Sequence, residues 1–174
     1  LVGSPLMFTY HSGQYLADWH PWEDVRDFYV SNRATGGCRE IVPFELTWLN
    51  ALFGEPEAVG CMKAKLTDVP APIDDVYHCL LRYPGGLQGN LTVDVLARPK
   101  GVREFRLYGT KGQMHFSAET NELRISNTDS PDWQIRRYEP GHVEAMYVNP
   151  ERPYIEEMTA FMPAVEKRDH ASYP

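Results

Sequence analysis

Metal-ligand patterns are missing from this sequence. It has six histidines, no two of them four residues apart on a predicted helix, and none in a zinc-type spacing with the cysteines. The three cysteines, Cys38, Cys61 and Cys79, form no C-x-x-C motif and no even-numbered framework. We therefore expect no metal and reduced thiols, as is typical of a reducing compartment.

A basic surface is also missing. The 174 residues include 17 Lys and Arg against 24 Asp and Glu, a net charge of -7, and no basic run exceeds two residues. Such a chain repels a phosphate backbone or an anionic bilayer. No apolar run approaches the length of a membrane span, and Leu1–Pro5 lacks the regions of a signal peptide. We expect a cytoplasmic protein with neither a nucleic-acid nor a membrane partner.

Sequence motifs for nucleotide binding and for a catalytic nucleophile are lacking as well. Neither G-x-G-x-x-G nor G-x-x-x-x-G-K-[ST] occurs, so the chain carries no nucleotide-binding fingerprint of its own. There is no G-x-S-x-G motif, and no cysteine has a neighbouring base in sequence. These absences leave the catalytic residues unknown and assign no cofactor-binding residue to this chain.

What is present is a helical first third followed by strands. Asp and Glu in the first turn after Pro21 predict a helix over Trp22–Tyr29, and a second helix over Phe44–Phe53 ends at Gly54. An apolar stripe predicts a last helix over Tyr154–Glu166, which Pro163 would kink or shorten. Alternating or apolar runs predict strands over 6–10, 58–67, 74–83, 87–95, 102–109, 112–117, 121–126 and 133–139.

The short connectors between these strands favour antiparallel pairing. We expect an α+β fold with a large, mostly antiparallel open β-sheet and helices packed on one face, over residues 1–174 as one domain. Alternation in 87–95 places Gln88, Asn90, Thr92 and Asp94 on the other, wet face. Because an exposed sheet face needs a cover, we expect this polar face to form a homo-oligomer interface.

Two stretches concentrate polar and aromatic side chains suited to a small ligand. The first is rich in rings around a histidine, which would stack against a sugar or a nicotinamide. The second precedes and begins a helix, whose N-terminus attracts anionic or hydroxyl-rich ligands. Rigid loop packing and an ordinary helix cap with a surface ion pair remain the alternatives. The candidate substrate-binding residues are Tyr15, Trp19, His20, Trp22, Arg26, Arg39, Glu40, Thr47 and Trp48.

The order and spacing of these segments resemble the C-terminal domain of the Gfo/Idh/MocA oxidoreductases, in a branch of sugar dehydrogenases. The resemblance covers nearly the whole chain, although no single motif is decisive. It rests on Gly13–Leu16, Asp18–Asp24, Gly36–Gly37, Leu52–Pro56, Asp75, Tyr108–Met114 and Tyr154–Val165.

The resemblance implies one half of a two-domain enzyme. The other half, a Rossmann domain that is absent from this chain, would bind NAD or NADP and supply a catalytic lysine. This half would shape the pocket for a sugar, a polyol or a sugar derivative, and its outer sheet face would make a homodimer or a tetramer. The reaction implied is hydride transfer between a secondary alcohol and the nicotinamide.

One departure from the family pattern concerns the helix before Gly54. The family places an acid, a histidine that serves as acid and base, and an aspartate there, whereas this chain has Glu40, Phe44 and Thr47. A phenylalanine cannot relay a proton. Glu45 would substitute only if the helix were rotated.

Three functions are therefore compared. The first is a substrate-binding and oligomerisation domain of an NAD(P)-dependent oxidoreductase, inactive as this chain alone. The second is a non-catalytic sugar-binding or dimerisation module that has lost the dehydrogenase chemistry, as Phe44 and the missing phosphate loop would favour. The third is an unrelated α+β domain, which a mostly parallel sheet would support.

Overall fold

An eight-stranded sheet forms most of this protein. The computed structural model describes residues 1–147 and 149–168, and the chain divides into two units, Leu1–Arg137 and Tyr138–Pro174. The first unit holds the whole sheet and one helix, and the second holds the other helix. The elements are β1 (Pro5–Gly13), α1 (Cys38–Phe53), β2 (Ala58–Ala64), β3 (Val76–Arg82), β4 (Gln88–Asp94), β5 (Val102–Gly109), β6 (Gly112–Ser117), β7 (Glu122–Asn127), β8 (Ser130–Arg137) and α2 (Arg152–Lys167), with short 3-10 helices at Leu16–Asp18, Tyr29–Ser31 and Pro84–Gly86.

The strand order across the sheet is β2-β3-β4-β1-β5-β6-β7-β8. Neighbours pair antiparallel except β1 and β4, which are parallel at the centre. The parallel pair is possible because a long excursion through α1, β2 and β3 separates its strands in sequence. The predicted α+β class with a mostly antiparallel open sheet is confirmed, and the mostly parallel sheet of the third reading is excluded.

The inner face of the sheet carries the core. Side chains that alternate along the central strands, including Phe8, Tyr10, Leu91 and Phe105, are buried, and Leu49 of α1 lies fully buried in the same cluster. Phe8 stacks on Phe53 with ring centroids 5.3 Å apart. Each such buried side chain contributes roughly 1.5 to 3 kcal/mol of hydrophobic free energy, so this face holds α1 on the sheet.

The outer face is polar, as the alternation predicts, but Asp94 departs from that prediction. Its residue is only 6% exposed. The carboxylate accepts hydrogen bonds from the backbone N–H groups of Leu96 and Ala97 and pairs with the His11 ring at 2.5 Å. Burial alone would raise the pKa of Asp94, but these hydrogen bonds outweigh it and lower the pKa below its usual range. Asp94 therefore ends β4 as a capping group and is not an open surface residue.

The predicted helix over Trp22–Tyr29 is wrong. This segment forms turns that lead into the 3-10 helix Tyr29–Ser31. The carboxylate of Asp24 accepts the backbone N–H of Arg26 at 2.9 Å, a local bond that competes with helix formation. Acidic residues after a proline thus mark a turn here.

Helix α1 begins at Cys38, earlier than predicted, and ends as predicted at Gly54. Its N-cap Gly37 has φ 63°, a left-handed conformation that favours glycine. Pro43 consequently lies inside the helix instead of in its first turn, and the Thr47 hydroxyl donates to the Pro43 carbonyl oxygen. Helix α2 includes Pro163 and continues to Lys167, so the proline does not shorten it. Among the described residues, no helix is long and apolar enough to cross a membrane.

Candidate functional site

The loop between β1 and α1 is anchored at its start to the end of β4. Backbone N–H groups of Gln14, Tyr15 and Leu16 donate to carbonyl oxygens of residues 94, 97 and 95 at 3.2, 2.8 and 3.2 Å. Leu16 is fully buried in the core. These bonds and the buried Leu16 side chain fix the position at which the loop with Trp19, His20 and Trp22 leaves the sheet.

Three of the predicted site residues meet around one phenylalanine. The His20 ring lies 3.8 Å from the Phe28 centroid and stacks on Trp22 at 4.9 Å, while Trp19 packs edge-on against Phe28 at 6.3 Å. The Nδ1 atom of His20 lies 2.9 Å from a carboxylate oxygen of Glu23. The sequence indicated Trp19, His20 and Trp22 but not Phe28, because a single phenylalanine in the sequence looks like any other core residue.

Phe28 also lines a cleft of about 520 Å³. This volume falls within the range of small-molecule pockets. One wall comes from the β1–α1 loop and the other from two prolines of the β2–β3 loop. The lining residues are Arg26, Phe28, Tyr29, Ser31, Asn32, Thr35, Pro70 and Pro72.

The proline wall is held by a fully buried carboxylate. Asp75 accepts the backbone N–H of Leu66 at 2.7 Å, and the N–H and hydroxyl of Thr67 at 2.8 and 2.7 Å. The Lys65 ammonium donates to the carbonyl oxygens of Val69 and Ala71, both at 2.7 Å. These bonds take residues 65–75 out of the β2–β3 ladder, which is why β2 ends before the predicted residue 67. They also fix the position of Pro70 and Pro72.

The one guanidinium among the described residues of the cleft lining is already paired. Arg26 donates to Asp24 through Nε at 2.9 Å and through an Nη at 2.5 Å. Hydrogen bonds from Arg26 hold the pKa of the Asp24 carboxyl well below its usual range, so both groups are charged near neutral pH. The pair leaves the cleft wall close to electrically neutral.

A second set of predicted residues follows one face of α1. The Tyr29 hydroxyl, at the cleft, donates to Oε1 of Glu40 at 2.9 Å. Partial burial raises the pKa of Tyr29, and the bond to Glu40 adds to the rise. The other carboxylate oxygen of Glu40 is buried and has no partner among the described residues. One and two turns further along, Phe44 is 64% exposed and Thr47 is exposed.

Among the described residues of the cleft lining, Arg26 is the one predicted site residue, and three of the other predicted residues contact different parts of the chain or face solvent. Trp48 packs edge-on against Tyr10 and donates its indole N–H to Oε2 of Glu45 at 2.9 Å. Tyr15 has the guanidinium of Arg98 over its ring, 4.6 Å from the centroid. Arg39 is exposed in the first turn of α1. Their roles in substrate binding stay predictions.

Glu45 is a structural hub that sequence reasoning considered only as a replacement base. It is 1% exposed and reaches strand β1, whereas the neighbouring Phe44 is exposed. Its two oxygens accept hydrogen bonds from Tyr10 and Ser12 hydroxyls at 2.8 Å each and from Arg103 at 2.8 Å, besides the Trp48 indole. The side chain is therefore occupied within the chain and does not reach the exposed face of α1.

The glycine pair before α1 does not offer a phosphate cradle. A Cβ at residue 36 would collide with the Val30 carbonyl, and one at residue 37 would lie 2.8 Å from the Ile73 side chain. These glycines serve close packing within the chain and do not form a phosphate-binding loop. Within residues 1–147 and 149–168, no three His, Cys, Asp or Glu side chains cluster as metal ligands do.

Several known structures of oxidoreductases have a similar fold. A levoglucosan dehydrogenase in complex with NADH and levoglucosan matches with a TM-score of 0.74 at 18% identity, covering 95% of this chain and 50% of that one. An oxidoreductase from Agrobacterium radiobacter in complex with NAD+, L-tartaric acid and magnesium gives 0.74 at 12% identity, with coverages of 95% and 48%. An NAD-binding oxidoreductase from Klebsiella pneumoniae gives 0.62 at 16%, with coverages of 77% and 39%.

The chain thus spans about half the length of the first two of these structures. No curated protein sequence matches it significantly. Residues 1–115 match the sequence model of the GFO/IDH/MocA C-terminal domain. The chain belongs to this family, which confirms the resemblance found in its sequence.

Proposed function

We propose that this chain is the substrate-binding half of an NAD(P)-dependent oxidoreductase that transfers a hydride to or from a sugar, a polyol or a sugar derivative. The cleft between the aromatic loop and the proline wall carries the proposal, because it combines a ligand-sized volume with ring faces and neutral polar groups. The cofactor would be bound by a separate Rossmann half, as the family resemblance implies. Assembly through the outer sheet face into a dimer or a tetramer is part of the same proposal.

The lining of the cleft suits an uncharged polyhydroxylated ring. The exposed ring of Tyr29 matches the apolar C–H face of a sugar, and Asn32 and Thr35 carry groups that hydrogen-bond hydroxyls. The pairing of Arg26 with Asp24 removes the net positive charge that a carboxylate or a phosphate would need. We expect neutral sugars to be preferred over sugar acids.

The residues of this chain would bind and orient the alcohol. Phe44 stands at the place where the family has a histidine, and its ring cannot accept the alcohol proton. Glu45 cannot replace it, because that carboxylate faces the sheet. The proton would therefore leave through a group outside this chain, for which the family resemblance implies a lysine of the Rossmann half. The Tyr29–Glu40 pair would position a substrate hydroxyl.

A non-catalytic sugar-binding or dimerisation module is the second candidate. Phe44 at the histidine place favours it, because losing the acid–base residue while keeping the cleft is the pattern expected of a binding domain without turnover. The two candidates differ in one measurable property. The first oxidises or reduces its ligand with a nicotinamide cofactor, and the second only binds it.

The experiment uses the full-length protein and follows NAD(P)H absorbance with pairs of neutral sugars and their acid counterparts. His20→Ala removes the ring that lies against Phe28 of the cleft lining, and Arg39→Ala removes a cation at the start of α1, so we expect KM to rise about tenfold or more in at least one of them. Glu57 lies between the end of α1 and the start of β2, outside the cleft lining. Glu57→Gln is therefore the matched control and should leave KM unchanged.

A charge variant tests the preference for neutral ligands. In Asp24→Asn, Arg26 loses its counter-charge, so the ratio of kcat/KM for acid over neutral sugar should rise. Unchanged KM in both the His20 and the Arg39 variants would show that the pocket lies elsewhere. Saturable sugar binding without turnover, with either cofactor, would favour the binding module.

A further inference from the structure

Two of the three cysteines face each other across neighbouring strands. Cys61 of β2 and Cys79 of β3 are register partners, and their Sγ atoms are 3.6 Å apart, both as free thiols. Directly opposed residues of an antiparallel pair have Cα atoms about 4.5 or 5.5 Å apart, within the roughly 4.4 to 6.8 Å that a disulfide spans. Side-chain rotation alone would therefore bring the two sulfurs to bonding distance.

The two thiols differ in their access to solvent. Strand β2 is an edge strand of the sheet and Cys61 is exposed, whereas Cys79 is 4% exposed. The Cys79 thiol donates its hydrogen to the sulfur of Cys61, so the two sulfurs already face each other. Burial, with the hydrogen bond to Cys61, raises the pKa of Cys79 to about 12. An oxidant in solvent therefore reaches Cys61 before Cys79, and the Cys79 thiol lies next to the oxidised sulfur.

We propose that Cys61 and Cys79 form a peroxide-responsive thiol pair that closes a disulfide between β2 and β3. The Cys61 thiolate attacks one oxygen of a hydroperoxide, the O–O bond breaks, and hydroxide or alkoxide leaves as Cys61 becomes a sulfenic acid. The Cys79 sulfur then attacks the Cys61 sulfur, the S–O bond breaks, and water leaves with the Cys79 proton. Two thiols are oxidised to one disulfide, and one peroxide is reduced.

The disulfide would cross-link β2 and β3, the two strands that flank the loop with Pro70 and Pro72. Residues 61–79 form a ring once the sulfurs join, and this ring includes the β2–β3 loop with Pro70 and Pro72 of the cleft. Closing the ring restricts the unfolded chain, so Tm should rise by roughly 5 to 10 °C on oxidation. The proposal does not depend on the identity of the substrate, since strand register and sulfur geometry alone support it.

The sequence makes the test unusually direct, because trypsin separates the three cysteines. Cys61 falls in peptide 40–63, Cys79 in peptide 66–82 and Cys38 in peptide 34–39. The folded full-length protein is treated with equimolar hydrogen peroxide, its free thiols are alkylated under denaturing conditions, and the digest is analysed by mass spectrometry. Cys38, which is fully buried, is the internal control thiol.

The expected result is peptide 40–63 linked to peptide 66–82 with the loss of two hydrogen atoms, reversed by dithiothreitol, with Cys38 still alkylated. Cys61→Ser should abolish the link and leave Cys79 alkylated, and its Tm should no longer respond to peroxide. Sulfinic acid at Cys61 without the linked peptides would overturn the proposal, as would links to Cys38 at equal yield. Two unreacted thiols would overturn it too.

Discussion

Replacing Glu45 by glutamine tests whether the buried hub between α1 and the sheet stabilises the fold through its charge. The carboxylate accepts four hydrogen bonds at 2.8 to 2.9 Å. A glutamine keeps the shape but turns one oxygen into a donor. Its carbonyl can take the Oε2 place, where the Tyr10 hydroxyl and the Trp48 indole donate. Its amide then faces Arg103, which has only donors, and Ser12, whose hydroxyl can turn to accept.

The expected cost of Glu45→Gln follows from this mismatch. Arg103 is half exposed and can swing into water, so the loss is close to one hydrogen bond to a charged group, about 2 kcal/mol of unfolding free energy. Glu45→Ala leaves two buried hydroxyls and the half-buried Trp48 indole without their acceptor and should cost about 4 kcal/mol. Glu57→Gln is the control, because its partner Arg82 lies 3.7 Å away at the surface, and we expect less than about 0.5 kcal/mol.

The assay is urea unfolding followed by far-ultraviolet circular dichroism and by tryptophan fluorescence, since Trp48 contacts the hub. A double mutant with Arg103→Gln isolates the ion pair. If the reasoning holds, Glu45→Gln costs less in that background than in the wild type. Equal stability of the Glu45→Gln and Glu57→Gln variants would refute the idea that this charge holds α1 on the sheet.

Two further predictions concern the outer face. Asp94 has a lowered folded-state pKa, so its stabilisation is present above its unfolded pKa near 4 and is lost as pH falls through the folded value. Asp94→Asn, which weakens the pairing with His11, should therefore lower stability at neutral pH by about 1 to 2 kcal/mol and flatten acid unfolding below about pH 4, whereas Asp129→Asn should do neither. Asn90→Arg places a bulky charge in the outer-face depression of about 230 Å³, and light scattering should then report a smaller assembly; an unchanged mass would remove this face from the proposed interface.

The strands could be predicted from sequence because one side of the sheet is buried and the other is not. The period-two alternation of residues 88–94 follows from this difference between the two faces of the sheet, and turn residues mark where the strand ends. The helix predicted over Trp22–Tyr29 failed for a different reason, because a side chain and not a helical carbonyl oxygen accepts the Arg26 N–H. Start signals of a helix and of an Asx turn use the same residue types, so the sequence alone does not separate them.

The candidate site was only half accessible to sequence reasoning. Its aromatic loop is contiguous in the chain, so His20 and Trp22 stand out as a cluster. Its opposite wall, Pro70 and Pro72, lies some 40 residues away and reaches the cleft only because Asp75 pulls residues 66 and 67 out of the strand pairing. The signal was a proline-rich segment closed by a buried aspartate, which becomes informative once the β2–β3 pairing is known.

The arrangement on α1 explains why the proposed hydride transfer needs a base from another part of the protein. A helix places residues 40, 44 and 47 on one face and residue 45 on another. In this chain the first face has a Glu40 carboxylate oxygen that is buried without a partner among the described residues, an exposed phenyl ring and a hydroxyl bonded to its own helix. Neither the phenyl ring nor this hydroxyl can take a proton from an alcohol. The Glu40 carboxylate accepts a hydrogen bond from Tyr29 through its other oxygen. The side chains here favour holding a ligand over reacting with it, so a base contributed from outside the chain is what separates a dehydrogenase from a binding module.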